Sequence, residues 1–245
     1  MSTKITINYS PNFDSSKRKE KKIKFLVFHY TGMKREDKAI EKLTKIQSQV
    51  SCHYFIKNNG EIIKMVPDSY VAWHAGISIW KNYKLLNKNS IGIEIANPGH
   101  QFGYKKFYKK QIISLIKLSK KLIKKYKINK KNILGHSDIA PERKKDPGEK
   151  FPWKFLFKNK IGIWHNLKSK KLSLLRNKLI SKKEIDYFFK YLNMVGYSKK
   201  SMILKNNSKY KKLLIIAFQR RFRPKLINGK VDKECLIIAN KLANN

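Results

Sequence analysis

Residues Lys24–Tyr30, KFLVFHY, set apolar side chains on both faces of any strand they form. Phe25, Val27 and His29 lie on one side, and Leu26, Phe28 and Tyr30 on the other. Such a strand needs a layer of protein against each face, which places it centrally in a sheet. The sequence supplies candidate layers. Ile40, Leu43, Ile46 and Val50 recur at helical spacing over residues 38–50, and residues 111–126 (QIISLIKLSKKLIKKY) form a longer amphipathic helix. His53–Lys57 and Glu61–Val66 flank Asn58-Asn59-Gly60, a hairpin signal. Ile91, Ile93 and Ile95 alternate with Gly92, Glu94 and Ala96, and a further short strand is expected at Asn132–Gly135. Strands interleaved with helices predict an α/β domain ending near Phe157.

Outside that domain the pattern changes. Residues 1–22 are polar, lysine-rich and aperiodic, and read as an extended lead-in to a domain over 23–157. Residues 158–177 read as a linker. Residues 178–245 read as a small helical module, with helices expected at Lys182–Val195, Ser208–Arg221 and Asp232–Leu242. The turn Pro224–Lys230, containing Asn228-Gly229, separates the last two.

Charge is the dominant feature of the composition: 57 basic residues against 16 acidic give +41. That excess attracts polyanions, but three features argue against specific nucleic-acid binding. Only seven of the basic residues are arginine, the side chain suited to bidentate contacts. The excess is diffuse, with 36 basic against 12 acidic in residues 1–160 and 21 against 4 in residues 161–245. Lys, Ile and Asn together make up 100 residues, the trio that A+T-rich codons encode. No apolar run approaches the length of a membrane span. The N-terminus lacks a signal-peptide core, and the two cysteines form no disulfide framework. As it stands the sequence predicts a cytoplasmic protein, or a periplasmic or secreted one if a signal peptide has been removed.

Among six histidines, His29 ends the apolar strand and His136 follows Ile133-Leu134-Gly135, so both can project from one edge of one sheet. Asp146 follows ten residues later, inside Lys144-Lys145-Asp146-Pro147-Gly148. Two imidazoles and a carboxylate with a fourth position open make a catalytic zinc set. Spacing alone leaves ordinary buried histidines as the competing reading. Glu94 is the second anomaly, a carboxylate inside Ile91-Gly92-Ile93-Glu94-Ile95. It is either a partnered or solvent-facing structural group, or a general acid/base whose pKa is raised by apolar neighbours.

Five segments in order, FLVFHYTG, SCHYFIKNNGEIIKMV, VAWHAG, NSIGIEIANPG and ILGHSDIAPERKKDPG, closely resemble the zinc-dependent N-acetylmuramoyl-L-alanine amidases of the type 2 family. Within it they resemble the branch that cuts both ordinary and 1,6-anhydro muropeptides. AFQRRFRPKLINGKVDKE resembles the C-terminal peptidoglycan-binding-like module of that branch. The resemblance implies a central mixed sheet flanked by helices, with a small C-terminal three-helix module. It implies one Zn²⁺ ion held by His29, His136 and Asp146, with Glu94 as the catalytic glutamate and Lys144 stabilising the developing oxyanion. It further implies substrate contacts at Tyr30, Thr31, Trp73, His74, Asn97 and Arg143. His53 matches no ligand and reads as structural, and His100 and His165 match nothing. The departure from the pattern is at the N-terminus, where the branch commonly has a lipoprotein signal and no lipobox cysteine appears here. The partners implied are muropeptides, with no specific nucleic acid. A non-catalytic peptidoglycan-binding protein, which shares the fold, is the rival reading; it usually lacks part of the metal set.

Overall fold

The computed structural model describes residues 5–198 and 200–244. Residues 1–4 of the expected lead-in, and Lys199 and Asn245 of the expected helical module, lie outside the described residues. The strands are β1 (Ile5–Ile7), β2 (Phe13–Asp14), β3 (Phe25–Tyr30), β4 (Tyr54–Ile56), β5 (Ile62–Lys64), β6 (Val71–Ala72), β7 (Ile79–Trp80), β8 (Tyr83–Lys84), β9 (Ser90–Ile95) and β10 (Ile133–Gly135). The helices are α1 (Glu36–Thr44), α2 (Lys109–Tyr126), α3 (His136–Ile139), α4 (Trp153–Lys158), α5 (Ser169–Ser173), α6 (Lys182–Val195), α7 (Asn207–Phe222) and α8 (Lys233–Ala243).

Six strands form one sheet in the order β1-β5-β4-β9-β3-β10. Only the β4–β5 hairpin is antiparallel; the other neighbours run parallel, so the sheet is mixed. β3 lies between β9 and β10, and Phe25, Leu26, Val27 and Phe28 are fully buried. Each such side chain contributes about 1.5–3 kcal/mol on leaving water. α2 packs its Ile112, Leu115, Leu118 and Leu122 into the main core. α1 covers a smaller cluster with Ala39 and Leu43 against Cys52, Phe55, Ile63, Met65 and Ala96.

The first helix stops short of the expected 38–50. It ends at Thr44, and Ile46 is exposed. The carbonyls at its end are taken by side chains from elsewhere: Ser10 Oγ donates to Leu43 O, and Asn12 Nδ2 to Lys45 O. Those donors belong to the expected lead-in, which is integral to the domain. Ile5–Ile7 pairs with Ile62–Lys64 as an edge strand, and buried Arg18 donates to Asp68 O and Ser90 O. Such anchoring works through polar side chains and leaves no hydrophobic period to read.

The expected linker is likewise packed. Ile161, Ile163, Trp164 and Leu172 are buried in the same core that holds Phe188, Phe218 and Phe222 of the C-terminal helices. Those helices form within two residues of their expected ends, each with a side-chain N-cap: Ser181, Asn206 and Asp232. No helix among the described residues is long and apolar enough to cross a membrane.

Candidate active site

Parallel strands β10, β3, β9 and β4 bring their C-terminal ends to one rim of the sheet, a common location for ligand sites. The register decides which side chains meet there. His29 pairs with Glu94 across β3–β9, and Glu94 with Phe55 across β9–β4. Gly135 pairs with Phe28, so His136 continues the row beside His29. Paired residues face the same side, so His136, His29 and Glu94 stand in line.

A loop after α3 adds Asp146. His29 Nδ1 lies 2.9 Å from His136 Nδ1, and Asp146 Oδ2 is 3.0 Å from each. All three residues are buried. Burial, followed by the facing His136, lowers His29 to about 4, and burial likewise lowers His136. The resting state is therefore two neutral imidazoles and a carboxylate.

The outer hydrogen bonds fix the tautomers. Ser90 Oγ donates to Leu86 O and so accepts from His74 Nε2 at 3.1 Å. His74 Nδ1 is then left to accept from His29 Nε2, also at 3.1 Å. His136 Nε2 donates to Ala75 O at 3.1 Å. Both Nδ1 lone pairs consequently point at the Asp146 carboxylate with no proton between them. Three acceptors converging at about 3 Å repel one another unless a cation sits among them. Their separations are close to the roughly 3.3 Å donor spacing of a tetrahedral site with bonds of about 2.0–2.1 Å. The donor set thus fits a zinc-type ion, and the outer bonds are of the kind that orient metal-binding histidines.

Glu94 has a different environment. Its Oε2 is buried and finds no hydrogen-bond partner among the described residues. Burial, and secondarily Asp146, push its pKa up to about 8. A structural carboxylate is ordinarily partnered, and this oxygen is not.

His136, Asp146 and Glu94 form one wall of a cavity of about 580 Å³, also lined by Tyr30, Thr31, Trp73, His74, Arg143 and Lys144. Lys42 and Lys145 add further positive charge. Tyr30 Oη donates to His100 Nδ1 (2.9 Å), and His100 Nε2 donates to Glu149 (2.9 Å). Burial pushes Tyr30 up to about 12, keeping the phenol neutral. Trp73 Nε1 donates to Asp14, fixing the indole. Arg143 donates to Ile77 O at 2.7–3.0 Å and also to Ala75 O, tying the 75–77 loop to the loop that follows α3.

Several of the expected residues are held by hydrogen bonds within the protein. Asn97 does not line the cavity: its amide donates to Lys105 O and accepts from Gly99 N, which holds a loop. Both ring nitrogens of His74 are engaged within the protein, bracing His29, while the residue also lines the cavity. The Thr31 hydroxyl donates to Asn97 O while facing the cavity. His53 is structural, accepting from Gly92 N and packing behind His74. His165 lies away from the cavity, donating to Phe222 O. His100 and Glu149 were not singled out from sequence. His100 reaches the wall through loop folding with Glu149 hydrogen-bonded to it, and no periodicity or spacing marks either.

The profile of the N-acetylmuramoyl-L-alanine amidase family matches residues 19–149. N-acetylmuramoyl-L-alanine amidase AmiD of Escherichia coli (strain K12) is 36% identical over 233 residues, covering 90% of this chain and 82% of AmiD. The structure of AmiD in complex with anhydro-N-acetylmuramic acid-L-Ala-D-γ-Glu-L-Lys superposes with a TM-score of 0.77, over 91% of this chain and 89% of that one. AmpDh3 from Pseudomonas aeruginosa, solved with anhydromuramic pentapeptide, is 30% identical with a TM-score of 0.78, covering 98% of both chains.

Proposed function

The chain belongs to the N-acetylmuramoyl-L-alanine amidase family, and from that premise we propose that it hydrolyses the amide joining N-acetylmuramic acid to the L-alanine of the stem peptide. The sugar is taken in ordinary or 1,6-anhydro form, one zinc ion is used, and the process served is peptidoglycan turnover or recycling. One observation carries the reading. The His29–His136–Asp146 triangle and the unpartnered Glu94 carboxylate stand side by side in a cavity lined by cations. The muropeptides held by the two similar structures support the same substrate class.

Zinc held by His29, His136 and Asp146 would supply Lewis acidity toward a water and the scissile carbonyl. The Glu94 carboxylate takes a proton from the attacking water and, once protonated, returns it to the departing alanine nitrogen. The Lys144 ammonium, on the same cavity wall, stabilises the carbonyl oxygen as it becomes anionic. Lys42, Arg143 and Lys145 favour a peptide that carries carboxylates, while Trp73 and Tyr30 offer faces for the sugar and peptide.

The test is to incubate the protein with 1,6-anhydro-muramoyl tripeptide and with its reducing counterpart, with and without chelator, and to weigh the released peptide. Chelator-sensitive release from both supports the proposal as stated, and release from the anhydro form alone narrows it to a dedicated recycling enzyme. Zinc bound without release from either would mean a peptidoglycan-binding protein that does not turn over.

A further inference from the structure

α3 is four residues long, His-Ser-Asp-Ile, too short to hold its own shape. It nonetheless carries His136, whose Nδ1 must stay about 3 Å from the other two donors. What holds the turn is Asp138, two residues on and 2% exposed. Its Oδ2 accepts from Gly135 N (2.8 Å) at the end of β10. The remaining donors come from the C-terminal module, Tyr197 just after α6 and Arg221 in α7. Tyr197 Oη donates to Oδ1, and Arg221 Nη1 donates to Oδ2. The other arm of Arg221, Nη2, donates to Ile133 O at 2.9 Å. Arg221 therefore grips the segment 133–138 at both ends, with His136 between the two grips.

Both side chains are themselves rigidly seated. Tyr197 is fully buried with its ring edge-on to Trp80 at 4.8 Å, and the Arg221 guanidinium lies 4.1 Å over the Trp153 ring. A buried carboxylate with this many converging donors holds a single geometry, because any rotation strands a charged group away from water.

We propose that Tyr197 and Arg221 are positioning residues for the metal site, acting through Asp138 on His136, so that the C-terminal module completes the catalytic centre rather than serving only as a wall-binding appendage. The inference rests on the metal reading above.

Its test is the zinc dissociation constant of the full chain, measured by competition with a chromogenic chelator, for Tyr197→Phe and Arg221→Lys. Tyr210→Phe is the control: it removes a hydrogen bond within the same module, to Ser198 O, that does not reach α3. Zinc binding about 10-fold weaker or more is expected in the first two and not in the control, the usual scale for groups that support a metal ligand. A purely structural role would lower the melting temperature of all three while leaving zinc affinity within about twofold of the parent, and that result would overturn the proposal. Tyr197→Phe keeps the ring against Trp80 and decides the matter if Arg221→Lys does not fold. Failure of the unsubstituted chain to bind zinc would instead overturn the metal reading, and this inference with it.

Discussion

Glu94 occupies a strand whose neighbours Ile91, Ile93 and Ile95 are fully buried, and nothing among the described residues hydrogen-bonds its Oε2. Two outcomes follow for Glu94→Gln. The amide cannot exchange a proton, so kcat should fall about 100-fold or more while zinc stoichiometry is kept; near-normal turnover would contradict the role. The second concerns stability. The Glu94 pKa is about 8 in the folded, metal-free chain against an ordinary 4.5. Between those values the folded state keeps a proton that the unfolded chain has released, so the group's contribution to stability falls as pH rises and the penalty is complete above pH 8. Glu94→Gln removes that penalty. The melting temperature of the metal-free variant should exceed the parent's at pH 8 and approach it near pH 4.5. Equal offsets at both pH values would refute the assignment. Asp146→Ala should act differently, abolishing stoichiometric zinc, since it removes the only carboxylate of the triangle.

At the scale of elements, the site depends on how closely the VAWHAG loop approaches β9. Gly92 faces the same side as Glu94, and a Cβ there would sit 2.3 Å from the His74 ring. The missing side chain makes room for His74, which in turn holds His29. Gly92→Ala should therefore cost about 1–3 kcal/mol through overpacking. It should also weaken zinc by about 10-fold by displacing the support of a ligand. Calorimetry and chelator competition on the one variant check both, and parental values in each would show that His74 can be accommodated elsewhere. The Asn87 side chain reinforces the same loop, its Oδ1 accepting from the backbone N–H of His74 and Ala75.

For the whole molecule, the C-terminal helices share one core with the sheet domain, and Phe188, Phe218 and Phe222 are buried in it. Deleting residues 178–245 uncovers Trp80 and Trp153 and leaves Asp138 with the Gly135 N–H alone. Turnover should fall alike on soluble muropeptides and on intact sacculus; a loss confined to sacculus would mean that the helices serve to grip the wall. The +41 charge acts at this scale too. Adsorption of the Glu94→Gln protein to anionic wall polymer should drop between about 0.1 and 1 M salt, as the Debye length shrinks from ~10 to ~3 Å. Turnover of small soluble fragments should be far less affected.

The sequence by itself determined the features that are periodic or local. The two-faced apolar run required a buried strand, the hairpin and α2 followed from period and turn chemistry, and the capped C-terminal helices could be located to within two residues. It also raised His29 and Glu94, polar groups conspicuous in apolar strands, with His136 after a short strand and Asp146 ten residues on, which the family resemblance joined into one set. Only the tertiary structure decided which of them meet. The strand register aligned His136, His29 and Glu94, and long-range polar contacts anchored the lead-in through Ser10, Asn12 and Arg18. The loops brought His100 to the cavity wall, with Glu149 bonded to it, and tied Asn97 to a loop away from it. Hydrogen bonds between residues far apart in the chain leave no period in the sequence, so the Tyr197 and Arg221 grip on Asp138 becomes visible only once the chain has folded.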